Sequence, residues 1–200
     1  CHSGVGLTPM IEGKLHHFSA GGLFNGLVLL IDDETKTYWD HITGEAVHGP
    51  LKGKCLDAWP VDMTTVAAAL ETDPEITLAR RPVHGFARFF GFLHRNAFRH
   101  GGFLPPRFRG TMGPEDKRLE RMTHGLGVVV GDEARFFPME DIQGGISLDW
   151  GGRRMELTIS GQNKVPAAAW EDGERPFQLF TRWYGFSYTY PGCAIWDGGG

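Results

Sequence analysis

The sequence predicts an α+β, β-rich fold: antiparallel strands arranged as a meander, with a few short helices. Three observations lead there. Glycine and aromatic residues are plentiful, short runs of alternating polar and apolar residues recur between Gly-rich breaks, and sustained helical periodicity is scarce. Two hundred residues of ordinary apolar and charged content can bury one sizeable core. Residues 1–200 are therefore expected to form a single β-rich domain, with 80–114 an Arg/Phe-rich insertion or interaction segment.

Taken in order, the stretches KLHHFSAGG, GLVLLIDD, TKTYWDHIT, EAVHGP and KCLDAWP, between Lys14 and Pro60, read as successive antiparallel strands. Residues Val61 to Thr72 carry apolar side chains at helical spacing and stop before Asp73-Pro74, where proline disfavours continuation. A strand, EITLAR, is expected next. Beyond the Arg/Phe segment, GLGVVVGDEARFFPMEDI reads as strand, turn, strand and helical turn, and GISLDWGGRRMELTIS as a hairpin around Gly151-Gly152. The aromatic, alternating FQLFTRWYGFSYTYPGCAIW reads as a buried or ligand-facing strand pair.

A formal charge of -4 gives no overall attraction for nucleic acid or anionic lipid. Cys1, Cys55 and Cys193 are too few and too scattered for a disulfide framework, and no paired C-x-x-C spacing marks a structural zinc site. The sequence contains no apolar run of roughly 18 residues. Because it opens at Cys1 without Met, further residues are expected upstream. No nucleophile elbow, P-loop, dinucleotide fingerprint or H-E-x-x-H stands in the chain.

The stretch DDETKTYWDHITGEAVHGPLKGKCL, from Asp32 to Leu56, resembles the signature of the bacterial domain of unknown function 3179 family, D-R-E-T-G-S-x-W-x-Q-x-T-G-E-A-x-x-G-P-L-x-G-x-x-L. Asp32, Glu34, Thr35, Trp39, Thr43, Gly44, Glu45, Ala46, Gly49, Pro50, Leu51, Gly53 and Leu56 fit it. GPEDKRLERMTHGLGVVVGDEARFFPMEDI and RWYGFSYTYPGCAIW resemble the family's later blocks, and Cys1 stands where a C-P-x-C-like segment begins, with Gly4 in place of its second cysteine. The resemblance implies a shared fold and architecture in a bacterial family; the location stays open, with an extracytoplasmic or membrane-peripheral setting expected ahead of a cytoplasmic one. It supplies no activity. His41, His48 and Cys55 depart from the pattern, where Gln, a small residue and a basic or variable residue are expected.

A two-residue turn at Gly44-Glu45 would place His41 opposite His48, and a second turn near Lys52-Gly53 would set Asp57 opposite His48. Trp39, His41, His48, Cys55, Asp57 and Trp59 would then share one face, opposite Ile42, Val47, Leu56 and Ala58. Directly opposed histidines can share one ion, so His41, His48, Cys55 and Asp57, joined by Cys1 and His2 if the N-terminus folds across, form a candidate site for copper, zinc or iron. Trp39 and Trp59 could wall a ligand pocket. The plainer reading is a polar or packing face, which a one-residue change of register would produce. His16-His17 are assigned solvent or packing roles. Asp32, Asp33 and Glu34, at a strand end, are expected to be solvated or to bind turn amides.

Residues 80–114 hold seven Arg, seven Phe and no Asp or Glu. Phe86, Phe89, Phe90 and Leu93 recur at helical spacing beside Arg88, Arg95 and Arg99. Such a stretch could dock on a protein assembly or an anionic membrane surface; nucleic acid is the weaker choice in an acidic chain. The plainer reading is a helix packed on the sheet.

Overall fold

A computed structural model describes residues 4–61, 63–77, 85, 106–159 and 164–198. In chain order the strands are β1 (Val5–Leu7), β2 (Met10–Ile11), β3 (Lys14–Leu15), β4 (Phe18–Phe24), β5 (Leu27–Asp32), β6 (Tyr38–Asp40), β7 (Ala46–His48) and β8 (Ala58–Pro60). Helices α1 (Val66–Thr72) and α2 (Pro106–Arg109) follow, then β9 (His124–Val130), β10 (Glu133–Pro138), α3 (Met139–Ile142), β11 (Ile146–Trp150), β12 (Arg153–Ile159), β13 (Pro166–Trp170), β14 (Phe177–Arg182), α4 (Trp183–Thr189) and β15 (Ala194–Ile195). The fold is α+β and β-rich, with antiparallel sheets. A single parallel pair, β10 with β15, departs from the expected meander among the described residues.

The first sheet is the meander β4-β5-β6-β7, and the second has the order β14-β9-β10-β15. A three-stranded sheet β11-β12-β13 packs beside the second, where Leu126, Val128 and Phe137 meet Leu148, Met155, Leu157 and Trp170 in one core. The β11–β12 hairpin turns at Gly151-Gly152 as the sequence indicates, with Trp150 paired to Arg153. Ile42, from the loop after β6, enters a second core with Phe136, Leu179, Trp183 and Phe186. That insertion ties the N-terminal meander to the C-terminal sheet.

Three expected elements differ. Helix α1 begins at Val66, where the Thr65 hydroxyl accepts from the Ala68 amide at 3.2 Å, so residues ahead of the cap stay outside the helix. Glu75–Thr77 is irregular, and the rest of the expected EITLAR strand lies outside the described residues. The aromatic C-terminal stretch switches from strand β14 to helix α4 at Trp183. Trp183, Tyr184, Gly185, Phe186 and Ser187 are all buried, so the helix shows no polar stripe by which its period could be read.

Helix α4 lies on β9 because Gly127 has no side chain. A Cβ there would meet the Phe186 ring at 2.1 Å, and that ring is held by Phe136 and Tyr190, with centroids 5.6 and 5.0 Å away. Gly127→Ala is expected to cost about 1–3 kcal/mol through overpacking, read as a lower urea midpoint. An unchanged midpoint would mean that α4 can move aside freely.

Candidate functional site

The chemistry gathers at the turn between β5 and β6. Asp32 is the last residue of β5, and its backbone closes the turn with Thr37: Asp32 N–H donates to the Thr37 carbonyl at 3.1 Å. Its carboxylate is fully buried, at 0 % exposure. Burial of a lone carboxylate is costly, so its oxygens must be satisfied. Oδ1 accepts from the Thr35 amide at 2.6 Å, and Oδ2 accepts from the Thr37 amide at 3.2 Å and the Trp39 indole Nε1–H at 2.9 Å. The Thr35 hydroxyl lies 2.8 Å from both oxygens. With its proton directed there, it accepts in turn from the Thr37 hydroxyl at 2.7 Å, and Thr37 Oγ1 accepts the Leu51 amide at 3.3 Å.

Burial pushes the Asp32 carboxyl up, but the hydrogen bonds from Trp39, Thr35 and His16 outweigh it and hold the pKa at about 2. The expectation that these acids bind turn amides holds for Asp32.

Two histidines complete the cluster. His16, 7 % exposed, points Nδ1 at Asp32 Oδ1 at 3.4 Å and at Glu34 Oε2 at 3.7 Å. His17 lies on the open side, where its Nδ1 meets Glu34 Oε1 at 2.7 Å and its amide donates to Glu34 Oε2 at 2.9 Å. The hydrogen bond with Glu34 raises the His17 pKa, and the same bond lowers that of Glu34. Among the described residues, His16, Asp32 and Glu34 form the one group of three His, Cys, Asp or Glu side chains whose ligand atoms lie within 4.8 Å of one another.

The expected histidine face does not assemble. Asp40 accepts the Ile42 and Thr43 amides at 2.7 and 2.9 Å, and Gly44, at φ 74°, donates its amide to the Asp40 carbonyl at 3.0 Å. The side-chain-capped turn therefore spans His41 to Gly44 instead of two residues. His41 is in the loop, and His48, exposed at the end of β7, pairs with Tyr38. A register shift between Tyr38 and Trp39 pairs His48 with Tyr38 but Ala46 with Trp39, and Trp39 turns inward to pack with Ala46 and Leu56.

Cys55 opposes Glu45 and donates its thiol to the Thr43 carbonyl at 3.4 Å, while burial raises its pKa. Asp57 is exposed, and its carbonyl accepts the Thr8 amide at 2.9 Å. Trp59 is exposed on β8, which pairs with β1 and not with β7, and its ring covers Gly6. Neither tryptophan lines the cleft of about 630 Å³ walled by Val61, Met63, Ile76, Leu126 and Phe180. Cys1, His2, Phe86, Arg88, Phe89, Phe90, Arg95 and Arg99 lie outside the described residues.

A signal for the actual cluster stands in the sequence. Asn25-Gly26 between apolar residues marks a two-residue hairpin turn, and the structure closes it with Phe24 paired to Leu27. That turn brings the His16-His17 end of β4 back beside the Asp32-Glu34 end of β5. A register shift between Ala20 and Gly22 then sets Phe18 against Asp32.

A family model described as "Protein of unknown function (DUF3179)" matches residues 1–182. The chain belongs to this family. No curated protein and no solved structure matches it. The DUF3179 pattern positions Asp32, Glu34, Thr35 and Trp39 are the residues gathered around the buried carboxylate. Gly49, another, is fixed by close approach: at φ 114° a Cβ would lie 2.7 Å from the Thr37 Cα.

Because Asp32 has a lower pKa folded than unfolded, its contribution is present above the ordinary carboxylate range and is lost as pH falls through about 2. The difference is worth about 2 kcal/mol. Asp32→Asn should lower stability at neutral pH and remove that part of the acid dependence, and Trp39→Phe should cost about 1–3 kcal/mol by removing the indole donor from a buried, charged oxygen. Urea unfolding followed from neutral to acid pH checks both; parallel curves for wild type and Asp32→Asn would contradict the assignment.

Proposed function

We propose that this DUF3179 domain binds a divalent transition metal through His16, Asp32 and Glu34, with His17 orienting Glu34. The spacing of His16 carries the reading. Its Nδ1 is 3.4 Å from one carboxylate and 3.7 Å from the other, beyond the favoured range of an N–H···O hydrogen bond. An ion with bonds of about 2.0–2.1 Å in tetrahedral geometry needs ligand atoms about 3.4 Å apart. The ion would occupy the space between His16 Nδ1 and the two carboxylates.

The ligand set decides which metals fit. Imidazole with carboxylates suits zinc or iron(II), whereas the thiolate that would favour copper(I) is missing from the cluster. Support goes to metal binding over thiol redox chemistry: burial raises the Cys55 thiol and pushes Cys193 up to about 11, so neither is poised as a thiolate. The Glu34–His17 hydrogen bond has the form of the outer partners that orient metal ligands. Glu34, at 33 % exposure, opens the cluster to solvent on one side.

Elemental analysis of protein purified without chelator, with zinc titration followed by thermal unfolding, tests the proposal. Wild type should carry or take up one ion per chain and gain about 3 kcal/mol at a hundredfold excess over Kd. His16→Ala and Glu34→Ala should abolish both effects, whereas His41→Ala and His48→Ala should keep them. Absence of bound metal together with an unmoved unfolding midpoint would reduce the cluster to a fold-stabilising network.

A further inference from the structure

The opposite end of the β4–β5 hairpin has a different composition. Residues 18–31 contain no charged side chain. At the tip Leu23 and Val28 are cross-strand partners, each 39 % exposed, and Phe24 is 57 % exposed. Leu23 and Val28 stand on one face of the hairpin end and Phe24 on the other, so large apolar side chains are exposed on both faces of this end, more than scattered single residues would give.

The tip is held in place. The Asn25 amide donates to the Thr111 carbonyl at 2.8 Å, the Gly26 amide to the Thr111 hydroxyl at 3.2 Å, and the Gly113 amide to the Asn25 side-chain oxygen at 3.2 Å. Gly26 also sits under the Phe108 ring, which a Cβ would meet at 2.8 Å. These bonds set α2 beside the tip, with Arg107 and Arg109 exposed. Residues 106–114 contain no acid, and Glu115, the next one, is ion-paired with Arg121. The result is an apolar point flanked by two arginines.

We propose that this tip docks on an anionic lipid bilayer, with Leu23, Phe24 and Val28 entering the boundary between headgroups and acyl chains and Arg107 and Arg109 meeting lipid phosphates. No helix among the described residues is long and apolar enough to cross a membrane. The proposed contact is a peripheral one, in which apolar burial and charge act together and neither suffices alone. A bilayer, unlike a protein groove, needs no shape complementarity from the tip. Its charge complements an anionic surface even though the whole chain carries a formal charge of -4.

Co-sedimentation of the full chain tests this, using vesicles of phosphatidylcholine alone and of equal parts phosphatidylcholine and phosphatidylglycerol. Binding should appear with the anionic vesicles only and weaken with added salt. Arg107→Glu with Arg109→Glu should weaken it by about tenfold or more, and Phe24→Ser with Leu23→Ser by a similar factor. Unchanged circular dichroism and unfolding midpoints would show that these exposed substitutions leave the fold intact. Three results would each overturn the proposal: no binding to anionic vesicles, binding that survives both pairs of substitutions, or self-association through the tip without vesicle binding.

Discussion

A single buried carboxylate organises the N-terminal half of this protein. Asp32 is charged, fully enclosed and surrounded by donors from one turn and one indole. An isolated charge in that position would be strongly destabilising, so the donors and the carboxylate depend on one another. Through Trp39 the interaction reaches the core formed with Ala46 and Leu56, and through Thr35 and Thr37 it reaches the Leu51 amide. Strand register, the inward orientation of Trp39 and the close approach of Gly49 to Thr37 all converge on it. Removing any one donor weakens the solvation of a buried charge that the remaining donors must then carry.

The same constraint shapes what the cluster can do chemically. Asp32 is fixed by groups that leave Oδ1 facing His16, so any ion bound there would meet one ligand already locked in place and a second, Glu34, set by His17. Preorganisation of this kind lowers the cost of binding, because the protein need not order the ligands when the ion arrives. It also separates two roles within one patch of residues. Trp39, Thr35 and Thr37 serve the fold, whereas His16, His17 and Glu34 contribute little to closing the turn and remain available for a ligand.

Much of the fold was legible in the sequence. Gly-punctuated alternation identified the meander, and Gly151-Gly152 and the valine-rich β9 were readable because one face of each hairpin is polar or a turn is explicit. Helix α4 was not, since its buried aromatic residues erase the contrast on which periodicity depends. The expected pairing of His41 with His48 differs from the structure for a local reason. Gly44-Glu45 fits a two-residue turn, but the Asp40 carboxylate four residues ahead of Gly44 caps a longer one, and a register offset separates His41 from His48. His16 and His17 carry no strand pattern by which their roles could be read, although one is buried and the other exposed. Both lie between β3 and β4, outside either strand, where the alternation does not apply. Asp32, Glu34, Thr35 and Trp39, which meet around the buried carboxylate, are all family-pattern positions, whereas His41, His48 and Cys55, which depart from the pattern, are surface or loop residues.

The N-terminal fold depends on Asp32 remaining ionised inside the protein, and the Trp39 indole, bonded to it, reports that state. An NMR titration of the Asp32 carboxyl carbon, with the Trp39 indole N–H followed in parallel, measures this directly. Both signals should move together with a midpoint near pH 2 and stay flat through the ordinary carboxylate range. A midpoint at or above pH 4, or an indole resonance indifferent to the titration, would contradict it.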